Sequence, residues 1–242
     1  MNNILIIGDS CQDICAYCNC RRLAPDAPIP ILDMEYCEKT PGMAKNVERN
    51  IQELGTNCDV LTNKNWESAI KTRYIDIDSN YMFIRVDDSP PTPQIDISSI
   101  DYNYDIIVIS DYDKGFLSTE DINIICKNHS CVFLDTKKPL GSWAEDVAFI
   151  KINNKEYNNP LNKISTKLHN KLIRTAGPQG CFYQGKQFPV REVDIKDVSG
   201  AGDTFLAGLV VKYLQTNDIE ASIKWGNECS TIAVQKRGIS TV

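Results

Sequence analysis

Nine consecutive residues, Asp197-Val198-Ser199-Gly200-Ala201-Gly202-Asp203-Thr204-Phe205, combine types and spacing that can do chemistry. Gly200, Ala201 and Gly202 carry little or no side chain, so backbone can approach a ligand closely there. Phe205, Leu206, Leu209, Val210 and Leu214 recur at helical spacing and predict an apolar-faced helix directly after the loop. The first N–H groups of a helix lack internal partners and point outward, so a phosphate is the natural occupant of such a loop. Asp203 stands in the first helical turn, where the helix dipole favours a carboxylate; the expectation is an ionised, weakly basic acid. Phosphoryl transfer asks mainly for positioning and charge stabilisation, so a weak, well-placed carboxylate suffices. Alone, the loop reads equally as a Gly-rich turn before a helix, and the rest of the chain has to decide.

The elements that would position this loop are visible upstream. Short β-rich runs at 4–8, 58–62, 105–110, 131–135, 147–152 and 171–175 are bounded mostly by Gly, Asp, Asn or Thr. Several are apolar throughout, as strands covered on both faces are, which predicts an α/β fold with a mostly parallel central sheet flanked by helices. Val47, Ile51 and Leu54 share one helical face before a stop at Gly55, Ser118 and Asp121 form a capping-box pattern, and a last helix is expected over about 218–236. Segments 28–37 and 71–87 alternate like antiparallel strands, the second turning at Asp78-Ser79-Asn80, and predict a small separate sheet. A further hairpin is expected at 181–190 across Gly185, and the prolines of 87–93 read as a connector. With 242 residues, the simplest organisation is one domain over 1–242 with a small β appendage at about 22–38 and 71–88.

Composition excludes several classes. Twenty-six basic against 32 acidic residues give a net charge of −6 with no block of like charge, which disfavours nucleic acid as a partner. The longest apolar runs, Ile4-Leu5-Ile6-Ile7 and Ile106-Ile107-Val108-Ile109, are far too short to span a membrane, and a soluble, cytoplasmic protein is expected. Of ten cysteines, Cys11, Cys15, Cys18 and Cys20 crowd together, and Cys11-x-x-x-Cys15-x-x-Cys18 resembles the cluster-binding loop of radical S-adenosylmethionine enzymes. Thiolates there could hold iron–sulfur or zinc, against the alternative of a strand-to-loop segment with reduced thiols.

Eight spaced segments in order resemble the ribokinase-like (PfkB) carbohydrate kinases, most closely heptose 7-phosphate kinase domains of ADP-heptose synthesis. They are Gly8-Asp9 with Asp13; residues 22–30, which single out that branch; 41–47; 110–115; 135–137; Asn153-x-x-Glu156; 197–203; and 238–242. The resemblance implies that Asp203 takes the proton from a sugar hydroxyl while the N–H groups of Gly200, Ala201 and Gly202 stabilise the transferring phosphoryl. It implies ATP as co-substrate, with Asn153 and Glu156 organising Mg²⁺ through water. Asp13, Gly42 and Asn46 fall where such kinases bind sugar hydroxyls, and Thr175, Gly177, Gly180 and Asn227 fall along the nucleotide wall. Arg22, Lys114, Lys137 and Lys138 are candidates for the far-end phosphate of a sugar phosphate by charge and location. The small sheet would be a lid, and such lids often pair between subunits, which implies a homodimer.

Departures from the family pattern bear on substrate and activity. Gly42-Met43 replaces the usual Gly-Gly, Lys45 and Glu48 stand at positions where small residues are typical, and the chain is shorter than relatives between Leu61 and Lys71 and between Glu156 and Lys171. A trimmed core could leave a sheet edge bare. Two other readings therefore stand beside the kinase: a non-catalytic sugar-phosphate or nucleotide binder of the same fold, and a radical enzyme using Cys11, Cys15 and Cys18.

Overall fold

The computed structural model describes residues 4–242. In chain order the strands are β1 (Ile4–Gly8), β2 (Ser10–Leu23), β3 (Pro30–Met43), β4 (Cys58–Thr62), β5 (Ile70–Asp76) and β6 (Met82–Asp88). They continue with β7 (Ile106–Asp111), β8 (Val132–Thr136), β9 (Phe149–Asn153), β10 (Leu172–Thr175), β11 (Cys181–Tyr183) and β12 (Lys186–Phe188). The helices are α1 (Ala44–Glu53), α2 (Thr119–Asn128), α3 (Asn154–Tyr157), α4 (Thr166–His169), α5 (Ala201–Thr216) and α6 (Ile219–Ala233).

Eight strands form the main sheet in the order β12-β11-β10-β9-β8-β7-β1-β4, parallel from β4 to β10 and closed at the far end by the antiparallel β11–β12 hairpin. Its strands are apolar on both faces because both faces are covered. Ile4 and Ile6 of β1 pack with Val47, Ile51, Leu206 and Val210 from α1 and α5, while Leu5 and Ile7 turn to the opposite cluster with Ile122 and Ile125 of α2. The parallel arrangement brings the C-terminal ends of β7, β8, β9 and β10 to one edge, where chemistry-bearing loops collect. At the trimmed end, β4 is the outermost strand and is only partly covered.

The second sheet has four strands in the order β3-β2-β5-β6. It extends beyond the two expected segments: the cysteine-rich stretch read as strand-to-loop is a 14-residue strand, β2, pairing antiparallel with β3 and parallel with β5. Its Gln, Asp, Asn and Arg residues break the apolar alternation that marks a strand in sequence, and two register shifts against β3 disturb what remains. An extended strand advances about 3.3 Å per residue, so Cys11 and Cys18 lie about 23 Å apart along it and cannot share one ion. All ten cysteines are free thiols, and among the described residues no group of three or more His, Cys, Asp or Glu is placed to hold a metal. Nor is any helix among them long and apolar enough to cross a membrane.

Candidate functional site

Asp203 lies in the first turn of α5, 5% exposed, with both carboxylate oxygens held. Asn46 Nδ2 donates to Oδ2 at 2.9 Å and the Tyr112 hydroxyl donates to Oδ1 at 2.7 Å. Burial raises the Asp203 pKa above the ordinary carboxylate value, outweighing the lowering by Asn46, Tyr112 and Lys151. The expectation of a weak base therefore needs correction: desolvation exceeds the helix dipole here, because the dipole acts through a few tenths of a charge while burial removes the carboxylate's water. Tyr112 is pushed well above its ordinary value, by burial first and then by Asp203, so it stays a proton donor to the carboxylate.

Gly200 caps α5 with φ 79°, a left-handed conformation, and a Cβ there would come within 3.0 Å of Asn46 Nδ2. The loop before it is fixed by an Asx turn, Ser199 N donating to Asp197 Oδ1 at 2.8 Å. Gly200 and Gly202 line a cavity of about 270 Å³ together with Asp203, Tyr112, Lys137 and Lys151. Ala201 departs from the expected set of three free amides, since its N–H reaches the Val198 carbonyl at 3.2 Å.

This cavity adjoins a larger one of about 510 Å³, and Gly202 and Thr175 line both. The larger groove gathers Gly177, Gly180 and Asn227 from the predicted nucleotide wall and adds Val193, Phe205 and Val234 as apolar lining. Asn227 is also tied back, its amide donating to the Phe188 carbonyl at 2.9 Å.

Asn153 and Glu156 form a capping box on α3: Asn153 Oδ1 accepts from Glu156 N at 2.9 Å and Glu156 Oε2 accepts from Asn153 N at 2.7 Å. Glu156 Oε1 additionally accepts from Asn153 Nδ2 and from Lys137 Nζ. Burial works against the Lys137 charge, but Asp135 and Glu156 raise its pKa on balance. As a test of a divalent cation, these engaged oxygens do not offer a closed protein cage. They suit an ion that keeps most of its waters and rides on substrate phosphates, the usual habit of Mg²⁺. Asp135 Oδ1 is buried and has no hydrogen-bond partner.

On the inner face of the second sheet, Asp13 is buried and ion-paired to Arg73 of β5. A Cβ at Gly42 would collide with the Asp13 carboxylate, so the glycine makes room for the acid. Asn46, expected to meet sugar hydroxyls, is fully buried and gives its amide to Asp203 instead. Arg22 and Lys114 are exposed, and Arg22 lies nine residues along β2 from Asp13, about 30 Å away. Neither lines the cavity around Asp203. Lys138 is bound to Asp111 and Asp113, at 2.7 and 3.0 Å.

Sequence reasoning missed four contributors. Tyr112 lies within the 110–115 segment, to which the resemblance gives no role. Lys151, paired at 2.7 Å with Asp135 and almost fully buried, was signalled only as a lysine inside the apolar strand Phe149–Asn153. Arg73 and Lys71 alternate on β5 opposite Cys15 and Asp13, a register no single sequence reveals. Lys71 and Lys137 stand over the Tyr112 ring at 5.0 and 5.1 Å.

Comparison with known proteins agrees with this geometry. The model of the pfkB family carbohydrate kinases matches residues 119–242. The bifunctional protein HldE of Helicobacter pylori strain J99 is 26% identical over 98% of this chain and 64% of its own length. That of Nitratiruptor sp. is 26% identical over 98% and 62%. The chain thus spans under two thirds of the curated relatives it matches. Among solved structures, the nucleoside kinase of Methanocaldococcus jannaschii superposes with a TM-score of 0.72 at 18% identity, covering 99% of this chain and 93% of its own. Ribokinase of Thermotoga maritima gives 0.71 at 15% identity, covering 99% and 95%. With the ribokinase fold and half of its length matched by the family model, the chain belongs to the pfkB family of carbohydrate kinases.

Proposed function

We propose that this chain transfers the γ-phosphoryl group of ATP to a sugar hydroxyl, with Asp203 as general base. The observation that supports this most is the placement of Asp203 on a cavity that opens through Gly202 and Thr175 into a groove of nucleotide size. Adenine would lie against Val193, Phe205 and Val234, and the triphosphate would run toward Gly200 and Gly202 at the start of α5. The sugar would be held from Asp13 and Gly42, with the second sheet as the lid that excludes water. Asp203 orients the attacking hydroxyl and accepts its proton, Asn46 and Tyr112 keep the carboxylate aimed, and Lys137 and Lys151 add positive charge beside the cavity. Mg²⁺ bound with the nucleotide would neutralise phosphate charge, with Asn153 and Glu156 reaching it through water.

The sugar is proposed to be a heptose 7-phosphate, phosphorylated at its anomeric hydroxyl; the resemblance of residues 22–30 and the HldE proteins among the relatives support it. A cytoplasmic site of action and pairing of two copies through the exposed Met82, Ile84 and Val86 of the lid are part of the same reading. Its test is an ADP-release screen over heptose, hexose and pentose substrates and their phosphates, with and without Mg²⁺. Asp203→Asn should lower turnover with the best sugar about 10²- to 10⁴-fold, the range of a general base. Unchanged turnover would remove Asp203 from the chemistry, and nucleotide binding with no ADP release would favour the non-catalytic binder.

A further inference from the structure

A third cavity, of about 300 Å³, lies beyond Asp13, walled by β2, β3, α1 and the chain after α6. Its cations are Arg49, Lys236 and Arg237, and Thr40, Ser240 and Thr241 bring hydroxyls. Glu38 is its one carboxylate. Arg49 is the telling residue: its Nη1 is shielded from solvent and has no hydrogen-bond partner. A buried guanidinium nitrogen without an acceptor is expensive, and such an atom in a folded protein calls for a missing partner. Lys236 and Arg237 donate to the backbone carbonyls of Thr241 and Ile77, at 2.7 and 3.1 Å, and their charges remain uncancelled. A planar guanidinium beside two more cations and three hydroxyls is the recognition chemistry of a tetrahedral oxyanion.

Position adds direction. Arg49 follows Asn46 by three residues on α1, so the two share a helix face. Thr40 pairs directly with Asp13 across β2 and β3, and the next same-face pair, Cys15 with Glu38, is already cavity wall. A sugar held at Asp13 with one end toward Asp203 would therefore extend its other end into this cavity.

We propose that the cavity around Arg49 is a phosphate-binding site that receives the far-end phosphate of the sugar substrate. The link to substrate rests on the kinase reading above; the anion site itself does not. Arg22 and Lys114 do not line this cavity, and Lys137 and Lys138 are paired with Glu156 and Asp111.

Two measurements on the full chain separate the claims. Inorganic phosphate is titrated calorimetrically with the nucleotide groove saturated by a non-hydrolysable ATP analogue, in the wild type, Arg49→Met and the surface variant Arg237→Gln. The kcat/KM ratio of a phosphorylated sugar to its unphosphorylated parent is measured in the same proteins. Expected are phosphate binding weakened roughly 10- to 100-fold in Arg49→Met, less in Arg237→Gln, and a fall in the kcat/KM ratio by similar factors. Loss of phosphate binding with an unchanged ratio would keep the anion site but assign it to free phosphate. If the wild type turns over no sugar, the kinase reading fails and the titration alone judges the cavity. Wild-type affinity in folded Arg49→Met, with Arg237→Gln also unchanged, would overturn the proposal.

Discussion

Two sets of cations line this molecule's cavities, and they differ in company. Around the transfer cavity most cations have an acid, Lys151 with Asp135, Lys137 with Glu156, Lys138 with Asp111 and Arg73 with Asp13, while Lys71 has the Tyr112 ring for a partner instead. In the cavity beyond Asp13, Arg49, Lys236 and Arg237 meet no carboxylate within ion-pair distance among the described residues. A matched cation is held still and its long-range field is largely cancelled, so it serves as a fixed wall for a reaction. An unmatched one keeps both its field and its unused donors, and it serves to capture. The difference separates groups that hold an arrangement from groups that await a ligand.

The largest expected effect tests the matched set. Lys151→Met strips Asp135 of its ammonium partner inside the core, where Asp135 Oδ1 is already without a hydrogen bond. Removing one member of a buried pair costs about 3–5 kcal/mol, read by urea unfolding. Adding Asp135→Leu should return a good part of that loss, since no buried charge then remains unpaired. If Lys151→Met unfolds like the wild type, the pair is not what keeps this wall in place. The comparison between the two cavities would then lose its physical basis.

A smaller effect is expected at Tyr112, which joins the matched wall to the base. Tyr112→Phe deletes the hydroxyl that donates to Asp203 Oδ1 and keeps the ring over which Lys71 and Lys137 stand. A hydrogen bond to a charged group contributes roughly 1.5 kcal/mol, so kcat should fall about tenfold. The sign of the pH effect follows from the same bond. Burial raises the Asp203 pKa and the Tyr112 hydrogen bond lowers it, so removing the hydroxyl raises it further. Asp203 must be ionised to accept a proton, and the acid limb of kcat/KM should move to higher pH in the variant. A limb that stays in place, or moves down, would show that Tyr112 does not govern the carboxylate.

How much of this was readable in advance depended on whether a feature is local in the chain. The α5 loop and its aspartate, the capping box of Ser118 and Asp121 and the hairpin across Gly185 are set by residues within four positions of one another. All could be read directly. The both-face apolar strands gave the parallel sheet for the same reason. β2 could not be read, because its polar residues are satisfied by strands β3 and β5 and by Arg73, which is 60 residues away from Asp13. The pKa direction of Asp203 was misjudged because the helix dipole is a local property, whereas burial depends on α1 and the loop after β7. Arg49 carried no signal at all, since a lone arginine on an amphipathic helix ordinarily faces water.

The last and smallest effect concerns Met43, which joins β3 to α1 and so links the small sheet to the helix carrying both Asn46 and Arg49. Its backbone takes φ 62° and ψ −127°, a region that glycine enters freely and other residues enter at a cost of about 1–3 kcal/mol. The residue is nevertheless buried at 3% exposure, so the methionine side chain offsets part of that strain by packing. The two contributions can be separated by comparing Met43→Ala with Met43→Gly. Both lose the side chain, but only glycine loses the strain, so Met43→Gly should be the more stable of the two by about 1 kcal/mol in urea unfolding. The reverse order would mean that the positive φ carries no cost. In that case the junction between β3 and α1 would be set by packing around the thioether rather than by the backbone, and a glycine there would loosen Asn46 and Arg49 together.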